Sequence, residues 1–595
     1  MAGHADVVER VRSWGIGRGD ALALVVAPGG AIGLAAGPET TLGLATVDPA
    51  AVVAAVEEAI GPRWAMWSSA TAVDLVRAGV RVERSWDAAA VHRLLWGGWR
   101  ADPARVWARL HGLSTADLPT DRPADLFSLA DDGSGDGDGD AASPVRPDGY
   151  LRPDWVAGAW AASADRLGAW AATVAEVARL QRDRVAELGG DAAGEGGRDR
   201  VLRTAAAEST AELLCAELMV DGLPMDRGAA EALVAGHVGP RPRDEREAAE
   251  LRAARDAEVL ALVPQGIVFD LRSPTQVRSM LRTVGIEVPD TRAWRLESLR
   301  DAHPLVDALL RWRKAERVAT TFGYAWLDEH LGDDGRFRGE WSGSDGAAGR
   351  MTASAGLHNM PADLRGGVVA EPGHLFVRAD LGQIEPRVLA AVSGDRALAA
   401  ASQADDLYAP VAAELGVDRA TAKVAVLGAM YGQTTGHGAQ ALRGLQRSYP
   451  VAMAYLEAAD RAAQVGTDLR TYGGRLVRMG GPAAASVDGV SERDARSRAA
   501  ARGRYGRNAM VQGAAAELFK VWAVTVRARG RALGAQVVLC LHDELLVHVP
   551  ADRAHEAAAL VDDALQEAAA RWAPDRSVRF LAETSLVRTW ADAKS

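Results

Sequence analysis

Only two cysteines occur in 595 residues, Cys215 and Cys540, far apart and each among apolar neighbours. A disulfide scaffold is thereby excluded, and both read as buried thiols of a reducing compartment. No run of about eighteen apolar residues is present, so neither a membrane span nor a membrane partner is expected. The stretch from Met1 to Arg10 carries acids and no long apolar segment, which leaves no secretion signal. Together these absences describe a cytoplasmic protein. Internal repeats are lacking too. Positive charge is short overall: the formal net charge is −11, which taken alone argues against a nucleic-acid partner. The shortage is uneven. Residues 419–520 hold 15 Lys or Arg against 7 Asp or Glu, a local positive surplus of the kind backbone phosphates require. A chain this long exceeds one core and implies two to four domains.

The chemistry concentrates in three segments. Val537 to Cys540 and Leu545 to Val549 read as two short strands, with His542-Asp543-Glu544 at the bend between them. Upstream, Leu375-Phe376-Val377-Arg378-Ala379-Asp380 is a second strand ending in acid. Aspartates on two adjacent strands can hold two divalent ions about 3.5–4 Å apart, an arrangement suited to phosphoryl transfer. Between them, Arg419, Lys423, Leu427 and Tyr431 recur at four-residue spacing, so a helix would align them on one face. Two cations followed by a ring suit a triphosphate with its base beyond, and the helix's amino-terminal end favours anions. The plainer readings are solvated turn acids and a solvated helix face. The position of the cationic segment between the two acidic ones argues against them.

These segments resemble the three polymerase motifs of the family A DNA polymerases. Asp380-Leu381-Gly382-Gln383-Ile384-Glu385-Pro386-Arg387 is similar to the first motif, Arg419, Lys423, Tyr431 and Gly432 to the second, and His542-Asp543-Glu544 to the third. Gly349-Arg350 with His358-Asn359-Met360-Pro361, and Arg504, Asn508 and Gln512-Gly513, fall in the family's order as well. The likeness runs from about residue 205 to the C-terminus. It implies an α+β right-hand polymerase with an antiparallel palm sheet and helical thumb and fingers. By the same resemblance the N-terminal part is an α/β, RNase H-like domain of exonuclease type.

The expected division is 1–190 for the exonuclease-like domain, 191–204 for a Gly-rich linker, and 205–595 for the polymerase. Within the latter, palm and thumb cover about 205–385, fingers about 388–500, and palm again about 501–595. Asp131 to Asp140 is an acidic, low-complexity loop with nothing to bury and is expected to be disordered. Ala21–Ala27, Pro28-Gly29-Gly30 and Ala31–Ala36 spell a hairpin. Ser273 with Pro274 opens a helix, and Leu305–Glu329 reads as one long helix of the thumb. The chain begins too late for the family's 5′-nuclease domain.

The resemblance also assigns roles. Asp380 and Asp543 hold two Mg²⁺ ions, for which Mn²⁺ is a substitute as a hard cation of similar ligand choice, and Glu544 tunes the site. Lys423 contacts the triphosphate and offers a proton to the leaving pyrophosphate; Arg419 binds the distal phosphates. Gln383, Glu385, Leu427, Tyr431 and His542 shape the nucleotide site, with Glu385 crowding the ribose 2′ position. Arg350, Asn359, Arg387, Arg504, Asn508 and Gln512 contact primer–template DNA. The implied activity is DNA-templated DNA synthesis by a monomer using deoxynucleoside triphosphates, in replication or repair. A silent DNA-binding scaffold and a single-subunit RNA polymerase are the alternatives. Departures matter as well. Leu381, Gly382, Pro386 and Leu427 replace the family's usual residues, and Leu427 lacks the flat ring that confines the sugar. Strand Ala21–Ala27 has no carboxylate, Asp20 precedes it and Leu22 stands where a second acid is needed. Asp74 and Asp165 are at most remnants, so proofreading is expected to be absent.

Overall fold

The computed structural model describes residues 4–45, 48–120, 143–191, 197–264, 268–432, 438–480 and 491–594. The acidic stretch from Asp131 to Asp140 lies outside the described residues. The chain divides into two units. The first comprises Met1–Asp221, Trp341–Thr352 and Val377–Leu586, the second Gly222–Glu340, Ala353–Phe376 and Val587–Ser595.

The first unit begins with strands β1 (Ala21–Ala27), β2 (Ala31–Gly37), β3 (Thr40–Leu44), β4 (Arg63–Met66) and β5 (Arg84–Asp87), in the sheet order β3-β2-β1-β4-β5. β1 and β2 form the expected hairpin, with Gly29 and Gly30 at φ +90° and +89° in its turn. β1 is apolar on both faces because both are covered. Leu22 and Leu24 join a core with Val52, Val53 and Val56, while Ala23 and Val25 join another with Trp86, Trp170 and Val174. Helix α1 (Ala164–Asp191) lies directly on β2 and β3. A Cβ at Gly33 or Gly43 would run into the carbonyls of Leu167 and Ala164, so glycine is required there.

Helix α2 (Gly197–Asp221) starts inside the segment expected to be a linker. Val201, Thr204 and Ala205 give its first turns a buried face, and that burial outweighs the glycine-rich cue before it. A second sheet follows, built from β6 (His374–Leu381), β7 (Gln536–Leu541), β8 (Glu544–Pro550) and β9 (Ala582–Val587) in the order β7-β8-β6-β9. Around it stand α3 (Ile384–Ser393), α4 (Arg419–Tyr431), the 39-residue α5 (Glu492–Gly530) and α6 (Ala554–Trp572). The α4 helix covers the periodic segment read from the sequence, with Asp418 as its N-cap accepting from the Thr421 amide at 2.9 Å.

α2 and α5 meet through charge. Glu208 of α2 is 2% exposed and accepts from Lys520 Nζ at 2.5 Å and from Arg475 Nη2. Lys520 also donates to the Gly343 carbonyl at 2.9 Å. Burial opposes the Glu208 charge, yet Arg475 and Lys520 hold its carboxyl below the usual range. One turn further, Glu212 pairs with Arg93 at 3.2 Å, and Glu217 takes a two-pronged contact from Arg527 at 2.7 and 2.8 Å. Glu517 is different: burial pushes it up to about 7, although Thr471 and the Gly473 amide donate to it. Cys215 and Cys540 are buried free thiols.

The second unit is mostly helical around Val277, Met280, Leu281, Leu305, Leu309 and Trp312. Ser273 caps the helix Pro274–Thr283 as expected, accepting from the Gln276 amide at 3.4 Å. The long helix read over Leu305–Glu329 is in fact two, Pro304–Thr321 and Tyr324–His330. The break falls at Phe322 and Gly323, where a Cβ on Gly323 would press on the Ala319 carbonyl at 3.0 Å. No helix among the described residues is long and apolar enough to cross a membrane.

Removing one partner of a buried ion cluster leaves the others desolvated and unpaired. Glu208→Ala should therefore lower unfolding stability by about 3–5 kcal/mol in urea titrations. Arg179→Ala, which breaks an exposed pair with Asp183, should change it by no more than about 0.5 kcal/mol.

Candidate active site

The turn between β7 and β8 is two residues long, His542 and Asp543, with Leu541 paired to Glu544. A hairpin this tight needs positive φ at its first turn residue, and His542 sits at φ +34°. Asp543 is thus lifted to the end of the sheet. Its carbonyl accepts from the Leu381 amide at 2.8 Å, which brings the end of β6, and Asp380 with it, alongside the turn. After β6 the chain reverses through Gln383, a non-glycine residue at φ +53°. That conformation costs about 1–2 kcal/mol, and the Gln383 side chain offsets it. Its amide donates to Asp406 at 2.7 Å and its carbonyl accepts from the Leu407 amide at 2.7 Å. Glu385 is thereby aimed into the pocket at the start of α3.

Three acids converge here. Asp543 is pushed up to about 6 by burial, then by Asp380 and Glu544. Such a surplus of negative charge, presented by carboxylate oxygens at a strand end, fits a divalent cation. Asp380 and Asp543 would be its holders. Arg378 already answers part of that charge. It is 4% exposed and donates to Asp380 Oδ2 at 2.6 Å and to Glu544 Oε1 at 2.8 Å. Burial works against its own charge, and the two acids more than compensate. The sequence carried a cue to Arg378: two residues before Asp380 on a strand, it shares a face with it.

A pocket of about 450 Å³ opens beside the acids, lined by Lys423, Leu427 and Tyr431 from α4 together with Arg350, Gln512 and His542. Three of the four residues aligned on that helix face therefore meet the site. Arg419 does not line it, because its Nε bonds Asp406 at 2.5 Å. Lys423 is exposed in the pocket, and it is one of only four lysines among 68 basic residues. The Tyr431 hydroxyl donates to Glu385 Oε2 at 2.6 Å, a contact no sequence pattern announces. Burial first, and this carboxylate second, raise the Tyr431 pKa well above normal. Tyr408, buried and also lining the pocket, was missed by sequence reasoning. It supplies a ring on a wall where Leu427 has none.

The remaining expected contacts separate. Arg387 is fully buried and donates to five backbone carbonyls, those of Gly382, Ser402, Arg579, Ala404 and Asp405. It cannot reach DNA from there and instead pins α3 to its surroundings, a correction to its expected role. Arg504 is exposed and packs so closely on Gly432 that a Cβ there would come within 2.7 Å of its side chain. Asn508 keeps a buried Oδ1 with no hydrogen-bond partner among the described residues. Asn359 belongs to the second unit, where its carbonyl accepts from Arg317 at 2.6 Å. The Glu544 carboxylate is buried and committed to Arg378, which suits a tuning role better than direct ligation.

A profile of DNA polymerase family A matches residues 245–592. Over 378 residues the chain is 30% identical to the thermostable DNA polymerase I of Thermus filiformis, covering 57% of this chain and 43% of that protein. Over 340 residues it is 28% identical to DNA polymerase I of Deinococcus radiodurans, covering 51% and 34%. The chain thus spans less than half the length of these relatives. The fold is similar to the "POL domain of Pol1 from M. smegmatis complex with DNA primer-template and dNTP", with TM-score 0.68, 20% identity and 99% of both chains covered.

A cation at the acidic cluster must displace the Asp543 proton. Manganese binding, followed by the paramagnetic signal of the free ion, should be flat above pH 6 and weaken by about tenfold per unit below it, as the carboxyl at about 6 protonates. Asp543→Asn should abolish that pH dependence together with most of the binding.

Proposed function

The chain belongs to DNA polymerase family A, and from that membership we propose that it extends a primer 3′ end along a DNA template, consuming deoxynucleoside triphosphates and releasing pyrophosphate. The observation that carries this reading is the backbone bond from Leu381 to Asp543. It brings the end of β6, with Asp380, beside Asp543, which lines a pocket together with the Lys423 face of α4. Divalent ions bound by the two aspartates would activate the primer hydroxyl and offset charge on the triphosphate. Lys423 holds the phosphates in line and is placed to give a proton to the departing pyrophosphate. Arg419 reaches the distal phosphates by exchanging Asp406 for them. Arg350, Gln512 and His542 position the primer end and the incoming nucleotide, and the exposed Arg504 takes a backbone phosphate. Arg378 limits repulsion among the acids and keeps Asp380 correctly turned. Lys423 and Asp543 in one pocket, with Asp380 acting on Asp543, weigh against a silent scaffold.

The N-terminal sheet supports an exonuclease-like, RNase H-like fold. β1 pairs antiparallel with β2 and β2 with β3, while β4 and β5 run parallel to β1. Its chemistry is absent in our reading. β1 carries no carboxylate, and Asp74 is 64% exposed on a helix and pairs with Arg77. Two metals would bind poorly without acids on the first strand.

Asp380→Ala and Asp543→Ala should each abolish nucleotide incorporation in a primer-extension assay while primer–template binding persists, because affinity rests on many phosphate contacts. The unaltered protein should leave a 3′-mismatched strand intact in Mg²⁺ or Mn²⁺. Substantial extension by either variant would remove the metal assignment.

Sugar choice follows from Glu385. A side chain excludes a 2′-hydroxyl only as firmly as it is itself held, and here the Tyr431 hydroxyl holds it. This favours deoxynucleotides and weighs against a single-subunit RNA polymerase. Glu385→Ala should raise the ribonucleotide-to-deoxynucleotide incorporation ratio by about ten- to two-hundred-fold, or about 1–3 kcal/mol. Tyr431→Phe should raise it less, and Leu427→Phe should lower it. An unchanged ratio in Glu385→Ala, measured in single turnovers, would place the gate elsewhere.

A further inference from the structure

The first unit contains another cavity, of about 380 Å³, with no lining residue in common with the pocket of Lys423 and Asp543. It lies among the starts of β4 and β5, α2, the later turns of α5, and the end of α6. Six arginines line it: Arg63, Arg84, Arg200, Arg203, Arg529 and Arg571. Among the described residues only two acids join them, Glu83 and Glu567. Both are already committed, Glu83 to Arg18 and Arg84, and Glu567 to Arg529 and Arg571. Arg203 pairs with Asp199 at 3.3 Å, whereas among the described residues Arg63 and Arg200 bond carbonyls, those of Ser85 at 3.2 Å and Tyr472 at 2.9 Å.

Surface arginines rarely need an explanation, but these are not simply solvated. Burial lowers the Arg63 pKa, and the guanidiniums of Arg84 and Arg182 lower it further. Two buried donors of the lining, Arg84 Nη1 and Trp572 Nε1, find no hydrogen-bond partner among the described residues. Unmade buried bonds are uncommon in folded chains and call for a ligand or a solvent molecule. The rest of the wall includes Ala207, Val521, Val524 and Ala528, so the cavity is a basic cleft with an apolar floor. Its volume is within the range of small-molecule sites. Guanidinium forks match phosphate oxygens in pairs, and several converging forks match adjacent phosphates.

We propose that this cleft binds a small polyphosphate anion, one with two or more adjacent phosphates, as carried by nucleotides and by inorganic pyrophosphate. The site is separate from the polymerase pocket by helix geometry. Gln512 and Ala516 of α5 line one, while Val521 and Thr525, each nine residues on, line the other. Nine residues are two and a half turns, which places the two pairs on opposite faces about 13 Å apart along the axis. The proposal does not require the polymerase reading to be correct.

The test is calorimetric titration of the full chain without DNA and in EDTA, with sodium pyrophosphate and with ADP. One saturable equivalent is expected, unchanged in Lys423→Ala and at least tenfold weaker in Arg200→Ser and Arg203→Glu. The Arg203 side chain is 46% exposed, so its variant should keep the unliganded melting temperature, which is measured alongside. Tighter binding of ADP than of pyrophosphate would identify a nucleotide; equal binding would mean that only the phosphates are read. The proposal fails if neither anion saturates, or if Lys423→Ala removes binding while Arg203→Glu retains it. It also fails if Arg203→Glu weakens only a short single-stranded oligonucleotide, because the cleft would then belong to a nucleic-acid track.

Discussion

One glutamate facing two cations in the dry interior fixes the geometry of the first unit. Glu208 is reached by Lys520 from α5 and by Arg475 from the loop beside it, all three nearly without exposure. Charges so deeply buried are tolerated only when paired and hydrogen-bonded, so the contact is specific as well as cohesive. Apolar packing alone would let α2 slide along α5 with little penalty. The second α2–α5 pair, Glu217 with Arg527, removes that freedom and sets one register, while Glu212 ties α2 to Arg93 of the helix Ala88–Trp96. Since α5 also carries Gln512, which lines the pocket of Lys423 and Asp543, the placement of that side chain follows from a bond made about two turns away.

The site itself was largely legible. Asp380 at a strand end, Asp543 in a hairpin bend and the Lys423 face of α4 were all visible as pattern, because period-two and period-3.6 spacing survive in a linear string. The acids' company was less so. Arg378 stands in the sequence two places from Asp380, but its bond to Glu544 joins residues 166 positions apart. The bond from Tyr431 to Glu385 is likewise a tertiary event. Arg387 misled for a related reason. A motif gives an arginine's position but not its burial, and this one is spent on carbonyls. The helix read over Leu305–Glu329 was overextended because apolar residues at four-residue spacing, Val318, Phe322 and Trp326, continue across Gly323, where the helix in fact stops.

Residues that depart from the family pattern find local accommodation. Pro386 is the third residue of α3, where an amide has no partner within the helix, so its missing proton costs nothing there. Gly382 donates to the Leu581 carbonyl at 3.0 Å, a backbone contact that is independent of side chain. Leu427 forfeits a ring, and Tyr408 brings one to the same pocket from another helix.

The length of α5 has a mechanical consequence. Its buried side begins at Gly503, where Gly503 and Gly506 pack on Asp460 and Ala463, while Glu492 to Arg502 are mostly exposed. At 1.5 Å per residue the exposed stretch is an arm of about 16 Å, and Gln512 lies about 14 Å inside the packed part. One degree of bending at Gly503 would shift the tip by about 0.3 Å and leave Gln512 in place. The outer turns can therefore yield while the Gln512 wall of the pocket stays fixed.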